Sequence, residues 1–158
     1  LYTVRPFDNP GGLQNGVLLD PVERVPVSTL TTLDGKPVDS AVFRGKWTLL
    51  YHVSANQDTV GCDADCREMV DTLSRVRIAQ NEGMRAVQRV LLEPAGSAQA
   101  ATFDDDLKVF ESHDWPLAQG AVYLVDRQGY LALRYDPGFD PQGLLDDLDR
   151  LLRLAGEG

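Results

Sequence analysis

Apolar residues along this chain fall into unbroken blocks, stripes at helical spacing, and a leading stretch with neither. Trp47-Thr48-Leu49-Leu50-Tyr51-His52-Val53 is a near-continuous apolar, aromatic and β-branched block, which predicts a central strand buried on both faces. After a polar loop at 54–61 the period changes. From Cys62 onward Met69, Val70, Leu73, Val76 and Ile78 recur at helical spacing, and Gly83 is the expected stop. Val87-Gln88-Arg89-Val90-Leu91-Leu92 predicts a second strand, closed by Pro94. Residues 97–111 read as a helix with Ala100, Phe103, Leu107 and Phe110 along one side. The blocks at 121–125 and 130–135 flank Arg127-Gln128-Gly129 and predict an antiparallel hairpin. In the last element Asp140 is a cap, Pro141 suits the first position and Gly156 closes the helix. Its apolar face is Leu144, Leu145, Leu148, Leu151 and Leu152, with Asp146, Asp147, Asp149 and Arg150 expected mostly outside.

The leading residues 1–24 carry Pro6, Pro10, Gly11, Gly12, Gly16 and Pro21 without a sustained period. They predict an extended lead-in lying on the domain or along its edge. Residues 25–30 suit a short edge strand, where Pro26 is tolerable, and Asp34-Gly35 supplies a hairpin turn. Arg44-Gly45-Lys46 marks a further turn. The expected order is an N-terminal β-hairpin followed by β-α-β-α-β-β-α. That is an α/β, thioredoxin-like element order: a central mixed β-sheet with helices on both faces. The division implied is a lead at 1–24 and one domain at 25–158.

Composition narrows the partners. The 158 residues are 43% hydrophobic and 25% charged, ordinary for a globular domain. Net charge is −9 with no basic run, which excludes a nucleic-acid binder resting on Lys and Arg. No apolar stretch approaches the roughly 18–20 residues of a membrane span. The chain starts at Leu1 rather than methionine, and the expectation is that a signal or anchor has been removed upstream.

Cys62-Asp63-Ala64-Asp65-Cys66 sits where the loop after the first central strand turns into a helix. In a helix the two sulfurs, at i and i+4, project from one face. Free backbone N–H groups and the helix dipole favour a thiolate there, while Asp63 and Asp65 oppose a second negative charge. Three chemistries need two close sulfurs: a reversible disulfide, soft-metal binding of Cu(I) or Zn, and peroxide reduction with a resolving partner. Two inert, buried cysteines are the plain alternative. His52, at the strand end, and His113, in the loop before the hairpin, are the candidate imidazoles; each is also readily a structural or exposed histidine. Met69, Trp47 and Trp115 read as packing, and Asp104-Asp105-Asp106 as a solvated face.

These residues resemble a known family. Leu33-Asp34-Gly35-Lys36-Pro37-Val38, then Phe43-Arg44-Gly45-Lys46-Trp47-Thr48-Leu49-Leu50-Tyr51, then Cys-x-x-x-Cys, look like Sco/SenC proteins. Val122-Tyr123-Leu124-Val125-Asp126-Arg127-Gln128-Gly129 is similar to that family's strand before its final turn, and Asn15-Gly16-Val17-Leu18-Leu19-Asp20-Pro21 to the lead of its membrane-anchored bacterial members. The resemblance covers about 25–155. It implies a thioredoxin fold on the periplasmic side of the inner membrane, tethered by an N-terminal helix. It also implies a role in cytochrome c oxidase assembly, delivering copper to an oxidase subunit or reducing its cysteines, with another periplasmic redox or copper protein as the alternative partner. Cys62 and Cys66 match the family's thiolate ligands for Cu(I) and its redox pair. The family's histidine ligand falls at Ala118 or Gln119, so only His113 or His52 is left to supply an imidazole. Thr59-Val60-Gly61-Cys62 matches part of a peroxiredoxin signature, with Ala55 where its proline is expected. A thiol peroxidase, or a redox-inert thioredoxin-fold interaction domain, is therefore the alternative.

Overall fold

The computed structural model describes residues 15–54, 62–96 and 103–156. One seven-stranded mixed sheet organises them: β1 (Val17–Arg24), β2 (Leu30–Thr31), β3 (Trp47–His52), β4 (Val87–Pro94), β5 (Leu107–Ser112), β6 (Val122–Val125) and β7 (Tyr130–Tyr135). The strand order is β1-β7-β6-β3-β4-β5-β2. β3, β4 and β5 run parallel; the remaining pairs are antiparallel. The architecture is thioredoxin-like.

Helices α1 (Ala64–Ile78) and α2 (Pro141–Leu154) pack together against one face of the sheet. Leu73 and Val76 of α1 meet Leu144, Leu148, Leu151 and Leu152 of α2 over Leu49, Val122, Leu124 and Leu133. The opposite face is covered by Val25, Leu30, Val38 and Phe43, from a segment with two short 3-10 helices, and by Trp115. Burial on both faces explains the apolar runs at Leu49-Leu50, Val90-Leu91-Leu92 and 122–125 within β3, β4 and β6.

Local chemistry sets several boundaries. Asp140 accepts from the Gln142 amide and Pro141 takes the first helical position, as the sequence predicts for α2. The β6–β7 hairpin forms around 127–129. At Asp34-Gly35 the turn forms with Gly35 at φ +88°, but its second arm is only one bridge, Thr31 to Pro37.

Four expectations need correction. The helix expected over 97–111 is contradicted from Leu107 onward, where β5 pairs in parallel with β4; 97–102 lie outside the described residues. Leu107 and Val109 pack on one face and Phe110 on the other, so a strand covered on both sides mimicked helical spacing. α1 ends at Ile78, before Gly83, which lies buried inside a 3-10 helix at Asn81–Ala86; Asn81 takes the left-handed conformation instead, at φ +56°. The lead-in does run along the edge as expected, but 17–24 is part of the domain's sheet rather than a segment ahead of it: Val17–Arg24 pairs with β7, its register shifting between Leu18 and Glu23. Exposure along it removes the alternation that would have revealed it. Finally, Asp147 is fully buried. Its carboxylate accepts from the Asn15 and Gly16 amides and from the Tyr135 hydroxyl, fastening the chain's leading segment to α2.

Candidate functional site

Cys62 and Cys66 are joined by a disulfide, with Cα atoms 5.1 Å apart. The pair stands just beyond the carboxyl end of β3, where open α/β sheets gather ligands. Cys62 precedes the helix; Asp63 is its N-cap and Cys66 its third residue. The Asp63 carboxylate accepts the Cys66 amide at 2.9 Å. A residue read from sequence only as an opposing charge is thus the cap that starts α1.

Both cysteines are buried. Cys66 is 1% exposed and Cys62 8%. Both pack with Val53, Val70 and Leu91, flanked by Tyr51, Phe103, Leu107 and Val109. Tyr51 points to this side, and burial, then the nearby Asp63 and Asp65 charges, raise its phenol above its ordinary range. Arg67 of α1 lies over the Phe103 ring at 5.6 Å. Asp104, expected to be a solvated acid, is ion-paired with the buried Arg89 of β4.

Neither histidine joins the cysteines. Side chains alternate along β3: Leu49 and Tyr51 face the helices, Leu50 and His52 the other core. The His52 ring stacks on Trp115, centroids 5.0 Å apart, and its Nε2 hydrogen-bonds Ser112 Oγ at 3.1 Å. Burial lowers its pKa to about 4, so the imidazole is neutral. His113 is exposed at the β5–β2 edge, where its Nε2 meets Thr31 Oγ1 at 2.9 Å. The Ala118 carbonyl accepts from the Tyr123 hydroxyl. Thr59 and Ala55 lie outside the described residues. Among the described residues no group of three or more His, Cys, Asp or Glu is arranged to hold a metal ion. A three-coordinate site of two thiolates and an imidazole does not fit this arrangement.

One titratable residue on the cysteine side escaped the sequence reading. Glu93, near the end of β4, is 1% exposed. Its only signal was an acid two positions after Leu91 in a strand otherwise buried on both faces.

A model of the family described as the transmembrane-like, thioredoxin-like C-terminal domain matches residues 47–155. The chain belongs to that family. This thioredoxin-like C-terminal domain shares its fold with Sco proteins. Against copper-bound Bradyrhizobium japonicum ScoI the TM-score is 0.53, with 21% identity over 77% of this chain and 94% of that one. Against apo Sco1 from Thermus thermophilus it is 0.66, with 16% identity over 88% and 97%. Against BsSco, a Sco-family cytochrome c oxidase assembly protein in which a disulfide switch was identified, it is 0.57, with 16% identity over 85% and 96%. No protein of curated function matches the chain. Among the described residues no helix is long and apolar enough to cross a membrane.

Proposed function

We propose that this domain is a Sco-like thiol–disulfide oxidoreductase acting in cytochrome c oxidase assembly. It would work on the periplasmic side of the inner membrane, held there by an N-terminal anchor. The observation that carries the reading is the Cys62–Cys66 disulfide at a helix start, with Cys62 in the segment before the helix and Cys66 inside its first turn. In the reduced protein the Cys62 thiolate attacks one sulfur of a partner disulfide and expels the other as a thiolate. The Cys66 thiolate then attacks Cys62 Sγ, closing the internal disulfide and releasing the second partner thiolate. Two electrons pass to the partner. The role of BsSco and the disulfide switch found in it support this assignment.

A redox titration tests it. Equilibration in thiol buffers of graded potential, followed by alkylation and mass measurement, is expected to give one two-electron transition that is absent from Cys62→Ser. A pair that stays reduced under mild oxidation contradicts the proposal.

Copper as cargo is the second reading, supported by copper-bound Sco relatives of the same fold. Reduction would free two thiolates, which suffice for linear Cu(I). Competition of reduced protein against a Cu(I) chelator, beside Cys62→Ser/Cys66→Ser, decides it; equal affinity in both eliminates the reading.

A further inference from the structure

A disulfide exchanges only when an attacking thiolate reaches one of its sulfurs. Cys62 and Cys66 are both buried, so a side chain over them has to move first. The residues packed with the pair show which one can. Tyr51, Leu91, Leu107 and Val109 stand on β3, β4 and β5, and Val70 on α1. Val53 is tied to β4 through its amide and the Leu92 carbonyl, 2.9 Å. Among the described side chains packed with the two cysteines, Phe103 alone stands on backbone outside every strand and helix.

Two guanidinium groups hold that segment in place. Arg67, the residue after Cys66 on α1, lies over the Phe103 ring, 5.6 Å from its centroid. The adjacent Asp104 is ion-paired with Arg89 of β4. The Arg89 side chain is 3% exposed and that of Asp104 51%, so the pair fastens an outer segment to a buried strand. Breaking it would leave a buried cation without its partner, which makes Asp104 the firmer of the two attachments. The Arg67 contact is the weaker one: Arg67 is exposed, and a cation–π contact at an exposed site shifts an equilibrium by roughly two- to fivefold.

The ring also has somewhere to go. Arg67, Val70, Asp71, Ser74, Phe103 and Asp104 line a cleft of about 200 Å³. A cavity of roughly 150 Å³ accepts benzene, so the cleft has room for a phenyl ring. From these contacts we propose that Phe103 is a lid over the Cys62–Cys66 disulfide, latched by Arg67 and hinged at Asp104. The inference rests on the redox reading above and adds a control to it. The ring swings into the cleft, the sulfurs are uncovered, and exchange proceeds at a rate set by the open fraction.

Dithiothreitol reports that fraction. Its thiolate attacks one sulfur of the oxidised protein, its second thiol closes the cyclic disulfide of the reagent, and two electrons pass to Cys62 and Cys66. Phe103→Ala is expected to speed reduction about tenfold over wild type. Arg67→Gln should speed it about threefold. The direction is diagnostic, because removing a cation beside a disulfide would by itself slow attack by an anionic thiolate. Phe139→Ala deletes a half-buried ring that packs on Tyr135 in a different cluster. As the control it should stay within about twofold of wild type. Rates unchanged in Phe103→Ala and Arg67→Gln, or raised equally in Phe139→Ala, overturn the lid. Slower reduction in Arg67→Gln overturns the latch. Should Phe103→Ala fail to fold, Arg67→Gln decides by the same signs. The redox reading fails on a separate readout: a pair that, once reduced, never re-forms its disulfide in oxidised glutathione overturns that reading, and this inference with it, whatever the rates.

Discussion

The Asp63 carboxylate takes up the backbone amide of Cys66, the residue whose sulfur is bonded to Cys62. One side chain therefore caps the helix and occupies an N–H that would otherwise favour a thiolate at that end. Replacing it separates the two roles. Asp63→Ala is expected to cost about 1 kcal/mol in urea unfolding of the oxidised protein. It should also lower the thiol pKa of Cys62 after reduction, because a negative charge leaves and an amide is freed. Asp63→Asn keeps the cap and should hold most of the stability. Absorbance of the thiolate near 240 nm as a function of pH reads the second effect; an upward shift in Asp63→Ala would be inconsistent with this account.

His52 gives the domain an acid-sensitive element. Its folded pKa of about 4 lies below its ordinary 6.5, because burial disfavours the imidazolium. Above about pH 6.5 neither state binds the proton and the stability is fully present. Between 6.5 and 4 the unfolded chain binds it and the folded one does not, so stability falls as pH falls, by up to about 3 kcal/mol in all. Glu93 works in the other direction: its raised pKa contributes stability at low pH that is lost as pH rises. The difference between wild type and His52→Asn isolates the histidine. Urea midpoints from pH 7 to 4 should fall less steeply in the variant; parallel curves would refute the assignment.

Asp147 is the anchor of the leading segment. Its carboxylate meets the Tyr135 hydroxyl at 2.6 Å and the Gly16 amide at 2.8 Å. Asp147→Asn turns an amide NH2 towards these donors and should cost about 3 kcal/mol. Tyr135→Phe should cost about 1–2 kcal/mol, and the double variant less than the sum, since the two share a bond. Gly16 is bound to the same arrangement: a Cβ there would lie 2.6 Å from the Tyr135 ring, which its hydroxyl bond holds in place. Gly16→Ala is expected to cost about 1–3 kcal/mol. Urea unfolding checks all four; additive losses for Tyr135 and Asp147 would contradict a shared contact.

The sequence made the central strands and α2 legible because their signals are local: unbroken apolar blocks, and a helix flanked by Asp140, Pro141 and Gly156. What it obscured depends on partners distant in the chain. Leu107 and Phe110 mimicked a helical stripe because they lie three apart on opposite faces of a strand, each against its own core. Asp147 looked solvent-facing because its donors arrive from Asn15 and Gly16, at the far end of the chain. The cysteine pair was visible as a motif. The outward turn of His52 from it follows from the two-residue period of β3, which could have been counted from Tyr51 and Val53. Glu93 acquires meaning only when the β4–β5 register sets Glu111 opposite it.

Removing Cys66 gives the most direct test of the dithiol. Reduced Cys66→Ser is mixed with oxidised glutathione and examined by intact mass and peptide mapping. The account predicts a stable glutathione adduct on Cys62 in the variant, while wild type proceeds to the Cys62–Cys66 disulfide without accumulating one. A variant that forms no adduct, or a wild type that keeps its adduct on Cys62, would contradict exchange at this site.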